Sequence, residues 1–225
     1  MRSAIIAIAA SMAFAGAAAW ADVNPTVTTA GSAPQIVLPR DGDEYSALAA
    51  RAAAQDQGVD FRALRFAWLK SAAHKHETAS EVALRSAIFA AVKAHDDQGV
   101  RAAAIKMISA IYVNLYGHKF LRQACTVLHD DACAAQEHFV EFGLLQSILK
   151  SGDGKTCATG WEVVSVGEEY FIIGMMGATP GQQSLLEGKP SCDELQVTDE
   201  KGAPQTYFFR IDAVLEDEMS MLGGH

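Results

Sequence analysis

Residues 147–166 read SILKSGDGKTCATGWEVVSV, and the fold class turns on them. Upstream, apolar residues recur every three or four positions, the period of a helix with one buried face. At Ser151-Gly152-Asp153-Gly154 that period stops, because Gly and Asp favour a turn over a further helical step. From Trp161 to Val166 apolar and polar residues alternate, the period of a half-buried strand. The reading is an α+β chain: helical hairpins over 41–150, then a small antiparallel sheet with one helix over 151–215 and a tail over 216–225. Gly154-Lys155-Thr156 resembles the end of a phosphate-binding loop. That motif needs a glycine at position 149, which is Leu149, so a helix stop explains the segment.

Working back from Ser151, each helix carries its own stripe. Tyr45, Leu48, Ala49, Ala52 and Ala53 form the first, with Asp41 and Glu44 at capping-box spacing. Phe61, Leu64, Trp68 and Leu69 follow Asp60, a good N-cap. Thr78 and Glu81 open a helix with Leu84, Ala87, Ile88, Ala91 and Val92. Ile108, Ile111, Tyr112 and Leu115 continue the pattern, then Leu121, Ala124, Cys125 and Leu128, and lastly Ala135, His138, Phe139 and Phe142. The turns echo one another: Asp56-Gln-Gly-Val59 recurs as Asp97-Gln-Gly-Val100, and His95-Asp-Asp97 as His129-Asp-Asp131. The second echo is close to the tetratricopeptide period of about 34 residues, so three tetratricopeptide-like hairpins are expected, with an irregular helical bundle as the alternative that spacing alone leaves open.

Working forward, Cys192–Val197 and Thr206–Asp212 read as strands, with a shorter one over Gln183–Leu186. Tyr207, Phe209 and Ile211 share one face, and Leu195 and Val197 can pack beside them. Between the strands lies SVGEEYF, residues 165–171. Ser165 and Glu168 have capping-box spacing, so Glu168 and Glu169 fall in a first helical turn, where negative charge suits the helix dipole. Adjacent helical side chains diverge by about 100°, whereas a glycosidase-type pair must converge on one bond. The pair reads as a helix start.

The chain begins Met1-Arg2, then an apolar run from Ala4 to Ala19, then Trp20-Ala21-Asp22. This is the form of a secretory signal cleaved between Ala21 and Asp22, which predicts a periplasmic or secreted protein. Residues 22–40 hold three prolines and read as a flexible leader. No later segment is long and apolar enough to span a membrane. A formal charge of −9 without a Lys/Arg cluster argues against nucleic acid as a partner. The four cysteines, Cys125, Cys133, Cys157 and Cys192, suit two disulfides in an exported chain. If the chain reverses at His129–Asp131, Cys125 meets Cys133 across the turn. That leaves Cys157 for Cys192, the favoured of three pairings.

No cofactor or metal site is expected. His74-Lys75-His76-Glu77 lacks a third partner, His138 reads as a core histidine on its apolar stripe, and Met219, Met221 and His225 belong to the tail. Paired cysteines offer neither a thiolate nor zinc-ligand spacing.

Five segments in order resemble a known family: Phe61–Arg65, Gly143–Lys155 with its SGDGK, Val164–Tyr170 with its EEY, Cys192–Val197, and Tyr207-Phe208. The chain is similar over 45–212 to a secreted bacterial domain-of-unknown-function family, number 4919. The resemblance implies an exported protein with a helical part and a small mixed part, and no assigned activity. It marks Ser151, Asp153, Glu168, Glu169 and Tyr170 as positions matching the family's shared elements, either as a site or as the hinge and cap joining the halves. The leading expectation is a module that binds an envelope protein or peptide. The alternative is a small envelope enzyme or metal-binding factor using Glu168, Glu169 and His118 or His138.

Overall fold

Helices in this chain start where a short polar side chain can accept from the first free amides. In the computed structural model, which describes residues 35–75 and 80–223, Asp43 caps α1 (Glu44–Ala53) by accepting from Ser46 N, and Asp60 caps α2 (Phe61–Lys70). A single turn, α3 (Ala72–Lys75), follows. Ser80 caps α4 (Glu81–Lys93), Asp96 caps α5 (Asp97–Ala110), Asn114 caps α6 (Leu115–Val127) and Asp130 caps α7 (Asp131–Leu149). Asp43 therefore does the work expected of Asp41. The signal segment, the leader up to residue 34, Thr78 of the second expected box, His76, Glu77 and His225 lie outside the described residues.

One corner is used three times; the His95 and His129 echo marks two of them, whereas the Asp56–Val59 echo fails, because its counterpart Asp97–Val100 lies in α5. After α1, α4 and α6 the chain takes a left-handed residue, Gln55, His95 or His129, with φ of 54–57°. Each corner closes with the same two bonds: His95 N donates to Val92 O, and Asp96 N to Ala91 O. Gln55 and Asp56, then His129 and Asp130, repeat them. This is the Schellman closure. At two of the three corners the next Asp caps the following helix. Glu81 and Leu115 open helices 34 residues apart, as do Asp97 and Asp131. Helices α4 to α7 pack in sequence order, but α1 and α2 lie against α7.

Two helical readings need correction. Ile108, Ile111, Tyr112 and Leu115 do not share one helix; α5 ends at Ala110 and residues 111–114 form a turn. The turn stays buried because Tyr112 N donates to the Tyr45 hydroxyl at 3.0 Å. On α7 the buried face is Glu137, Val140, Glu141, Leu144 and Ile148, whereas His138 is exposed and Phe142 is 53% exposed. Two acids can face inward there because His118 pairs with Glu137 and Arg122 with Glu141. An apolar stripe alone therefore misplaces the face.

Beyond Ser151 a short 3-10 turn (Cys157–Thr159) leads into β1 (Trp161–Glu162), α8 (Val166–Met175), β2 (Thr179–Leu186), β3 (Cys192–Thr198), β4 (Pro204–Arg210) and α9 (Asp212–Gly223). The strand predicted over 161–166 is cut short because Ser165 already caps α8. Sheet order is β1-β4-β3-β2. Strand β1 runs parallel to β4 and the other pairs are antiparallel, so the sheet is mixed rather than purely antiparallel. Leu195 faces Tyr207 and Asp193 faces Phe209, which puts Leu195, Val197 and Phe209 in the shared core. The expected tail is instead α9 as far as Gly223. It packs on α2, and His74 Nε2 of α3 meets Asp217 Oδ2 at 2.9 Å.

Cys125 is bonded to Cys133 and Cys157 to Cys192, with Cα–Cα distances of 5.8 and 5.7 Å. Such crosslinks persist in oxidising compartments. Among the described residues no helix is long and apolar enough to cross a membrane.

Candidate functional site

Ser165 Oγ accepts from Glu168 N at 3.3 Å, so the SVGEEYF segment does start a helix. The Glu168 side chain does not return to complete a capping box. It turns inward to Arg65 of α2, whose Nε and Nη2 donate to its two carboxylate oxygens at 2.7 and 2.6 Å. Arg65 also donates to Glu162 O at 2.8 Å and to Ser147 Oγ at 3.2 Å, and Val164 N donates to Glu168 Oε2 at 2.8 Å. Both side chains are buried. A buried ion pair is tolerated only when its remaining donors and acceptors are met, as they are here. It ties the second helix to the first turn of α8.

Glu169 points elsewhere, as the 100° step requires. It is fully buried against Asp193 of β3. Burial, then the nearby Asp193 and Glu168 charges, push its carboxyl up to about 9. Gln183 Nε2 donates to Glu169 Oε2 at 3.1 Å and to Asp193 Oδ2 at 2.7 Å, and the Tyr170 hydroxyl donates to Gln183 Oε1 at 3.1 Å. Glu169 Oε1 meets no N–H or hydroxyl donor. A protonated Glu169 accounts for this, since its O–H is itself a donor toward Asp193. The unit is a neutral acid and its neighbouring carboxylate, bridged by an amide and closed by a phenol.

Ser151 and Asp153 are not part of that unit. Ser151 Oγ donates to Ile148 O at 2.6 Å and accepts from Glu162 N at 2.7 Å, fastening the end of α7 to β1. Asp153 is exposed and accepts from Lys155 N and Thr159 Oγ1, and these bonds hold its carboxyl below the ordinary range. Gly154 is required: its φ is +68°, and a Cβ there would sit 2.4 Å from the Trp161 ring. The structure therefore places Tyr170 with Glu169, Glu168 apart from them, and Ser151 and Asp153 in the segment between α7 and β1.

His118 and the Cys125–Cys133 pair are engaged in the same way, whereas His138 is exposed on α7. His118 is buried, with Nδ1 2.5 Å from Glu137 Oε2 and Nε2 2.6 Å from Tyr112 O, so neither ring nitrogen is left for a ligand. Cys125 and Cys133 lie near Asp130, but their sulfurs are bonded to each other.

What the sequence reading missed is a groove of about 980 Å³ between α2 and α7. Its apolar wall is Phe61, Phe139, Phe142 and His138. Phe61 meets Phe139 edge-on at 5.6 Å. Gly143 makes this possible, since a Cβ there would fall 2.1 Å from the Phe61 ring. Arg62, Lys150 and Arg210 stand on the rim beside Glu162 and Asp60. Arg62 and Arg210 both pair with Glu162, at 2.7 and 3.3 Å. The available signal was a second run of aromatics on α7, offset from its buried stripe.

A family model described as "Domain of unknown function (DUF4919)" matches residues 57–220, from just before α2 into α9. No curated protein and no solved structure matches the chain.

Proposed function

Since the chain belongs to the DUF4919 family, whose description names no activity, we propose its function from its geometry: an exported module that holds a segment of a partner envelope protein in the groove between α2 and α7. The observation that carries this is the aromatic wall of half-buried Phe61 and Phe139 and exposed Phe142, lined also by Arg62, Lys150 and Arg210. Exposed aromatics in a concave site supply large contact area at low entropic cost. Three cations against two carboxylates leave the rim net positive on a chain of formal charge −9. The matching segment carries an aromatic or branched apolar side chain beside a carboxylate.

Export is supported by the Ala4–Ala19 apolar run ending at Ala19-Trp20-Ala21, and by the two disulfides. Cleavage before Asp22 would deliver a periplasmic or secreted chain. The 34-residue spacing of α4 with α6 and of α5 with α7 supports a tetratricopeptide-like reading of those two hairpins. In this reading residues 41–150 form the groove walls and residues 151–215 its end, through Ser151, Glu162 and Arg210. The alternative, an envelope enzyme or metal-binding factor, would use Glu168, Glu169 and His118 or His138; burial of the first three weighs against it, although His138 is exposed.

The test is amide chemical-shift mapping with short peptides carrying Phe or Leu beside Asp or Glu. Shifts confined to α2 and α7, with affinity about tenfold weaker in Phe142→Ala or Lys150→Glu, are expected. Peptides that leave the groove unshifted, or bind both variants as the parent, overturn the proposal.

A further inference from the structure

Strand β2 is the last in the order β1-β4-β3-β2 and hydrogen-bonds on one side only, to β3. Among the described residues no other backbone partner meets Thr179–Leu186. Protein sheets commonly guard such an edge with charge, proline or a bulge. Here Pro180 and an irregularity between Pro180 and Gln183 guard the first half. The second half has no such guard, and Leu185 and Leu186 are 49% and 38% exposed. The opposite edge, β1, is two residues long. The sheet can therefore grow at β2.

From these features we infer that β2 pairs antiparallel with the β2 strand of a second copy of this chain. Charge selects that occupant. Thr179–Leu186 (TPGQQSLL) has no ionisable residue, although the whole chain carries a formal −9. Like-with-like contact through a neutral strand avoids the repulsion that an acidic surface imposes on its own copy. A two-fold register centred on Leu185 sets that side chain against the partner's Leu185. Gln183 then lies opposite the partner's Glu187, and no like charges face each other. The contact shares no residue with the α2–α7 groove, so two copies would present two grooves at once.

The test is sedimentation velocity of the mature chain over a wide concentration range, with hydrogen exchange at low and high concentration. A monomer–dimer equilibrium is expected, with protection of residues 183–187 rising with concentration. Leu185→Lys, at an exposed edge position, should keep the circular dichroism of the parent and associate at least about tenfold more weakly. A parent that stays monomeric overturns the inference. So does a variant that dimerises as the parent does, or a dimer whose β2 amides gain no protection.

Discussion

Glu168 and Glu169 are covalent neighbours with opposite electrostatic duties, and each duty has a measurable consequence. Glu169 is held near 9, against an ordinary glutamate value of about 4.5. Between those values the folded chain holds a proton that the unfolded chain releases. Stability therefore falls as pH rises through that window, by at most about 1.4 kcal/mol per pH unit. Glu169→Gln keeps the shape and replaces the acid O–H with an amide N–H facing Asp193. Its denaturant midpoint should be nearly flat between about pH 5 and about pH 8, where the parent's declines. At the upper end the variant should be the more stable protein. Arg65→Met should cost about 3–5 kcal/mol in chemical denaturation, because Glu168 would keep its burial without its counter-ion. The Arg65→Met/Glu168→Leu double variant should lose less than Arg65→Met alone.

At the scale of elements, the corners are the recurring device. His95 holds a left-handed backbone at φ 54° without being glycine, a conformation that costs an L-residue about 1 kcal/mol. His95→Gly should stabilise the fold by about 0.5 kcal/mol, after the entropy of glycine in the unfolded chain is offset, and so raise the thermal midpoint. The His95 and His129 corners were visible in the sequence as an echo, because a Schellman turn followed by an aspartate cap needs particular residues; the Gln55 corner, with no such cap, was not. The rotation of α7 was hidden, because Glu137 and Glu141 look like surface residues until His118 and Arg122 arrive from α6. The break after Ala110 was hidden too, since Ile111, Tyr112 and Val113 are apolar in either conformation. In the sheet, alternation exposed the core face of β3 and β4. It could not reveal the parallel pairing of β1, whose two residues are too few to carry a period.

At the scale of the molecule, the α+β division and the change at Ser151 were legible, because a switch of period needs no partner to be seen. The groove was not, since it exists only where α2 meets α7, and Gly143 looks like a mild helix weakness until Phe61 lies over it. The N-cap role of Ser165 was readable locally; the buried partner of Glu168 lies 103 residues away and was not. That separation sets an order of events during synthesis. A chain made from its N-terminus exposes the Arg65 face of α2 until residues beyond 160 have emerged, because Glu168 and the Glu162 carbonyl both come late. The helical half therefore lacks its closing contact while it is being made. It waits, with an unpaired cation and an open apolar face, for the segment that closes it. A chain cut short after Lys150 should be a client for chaperones rather than a smaller version of the protein.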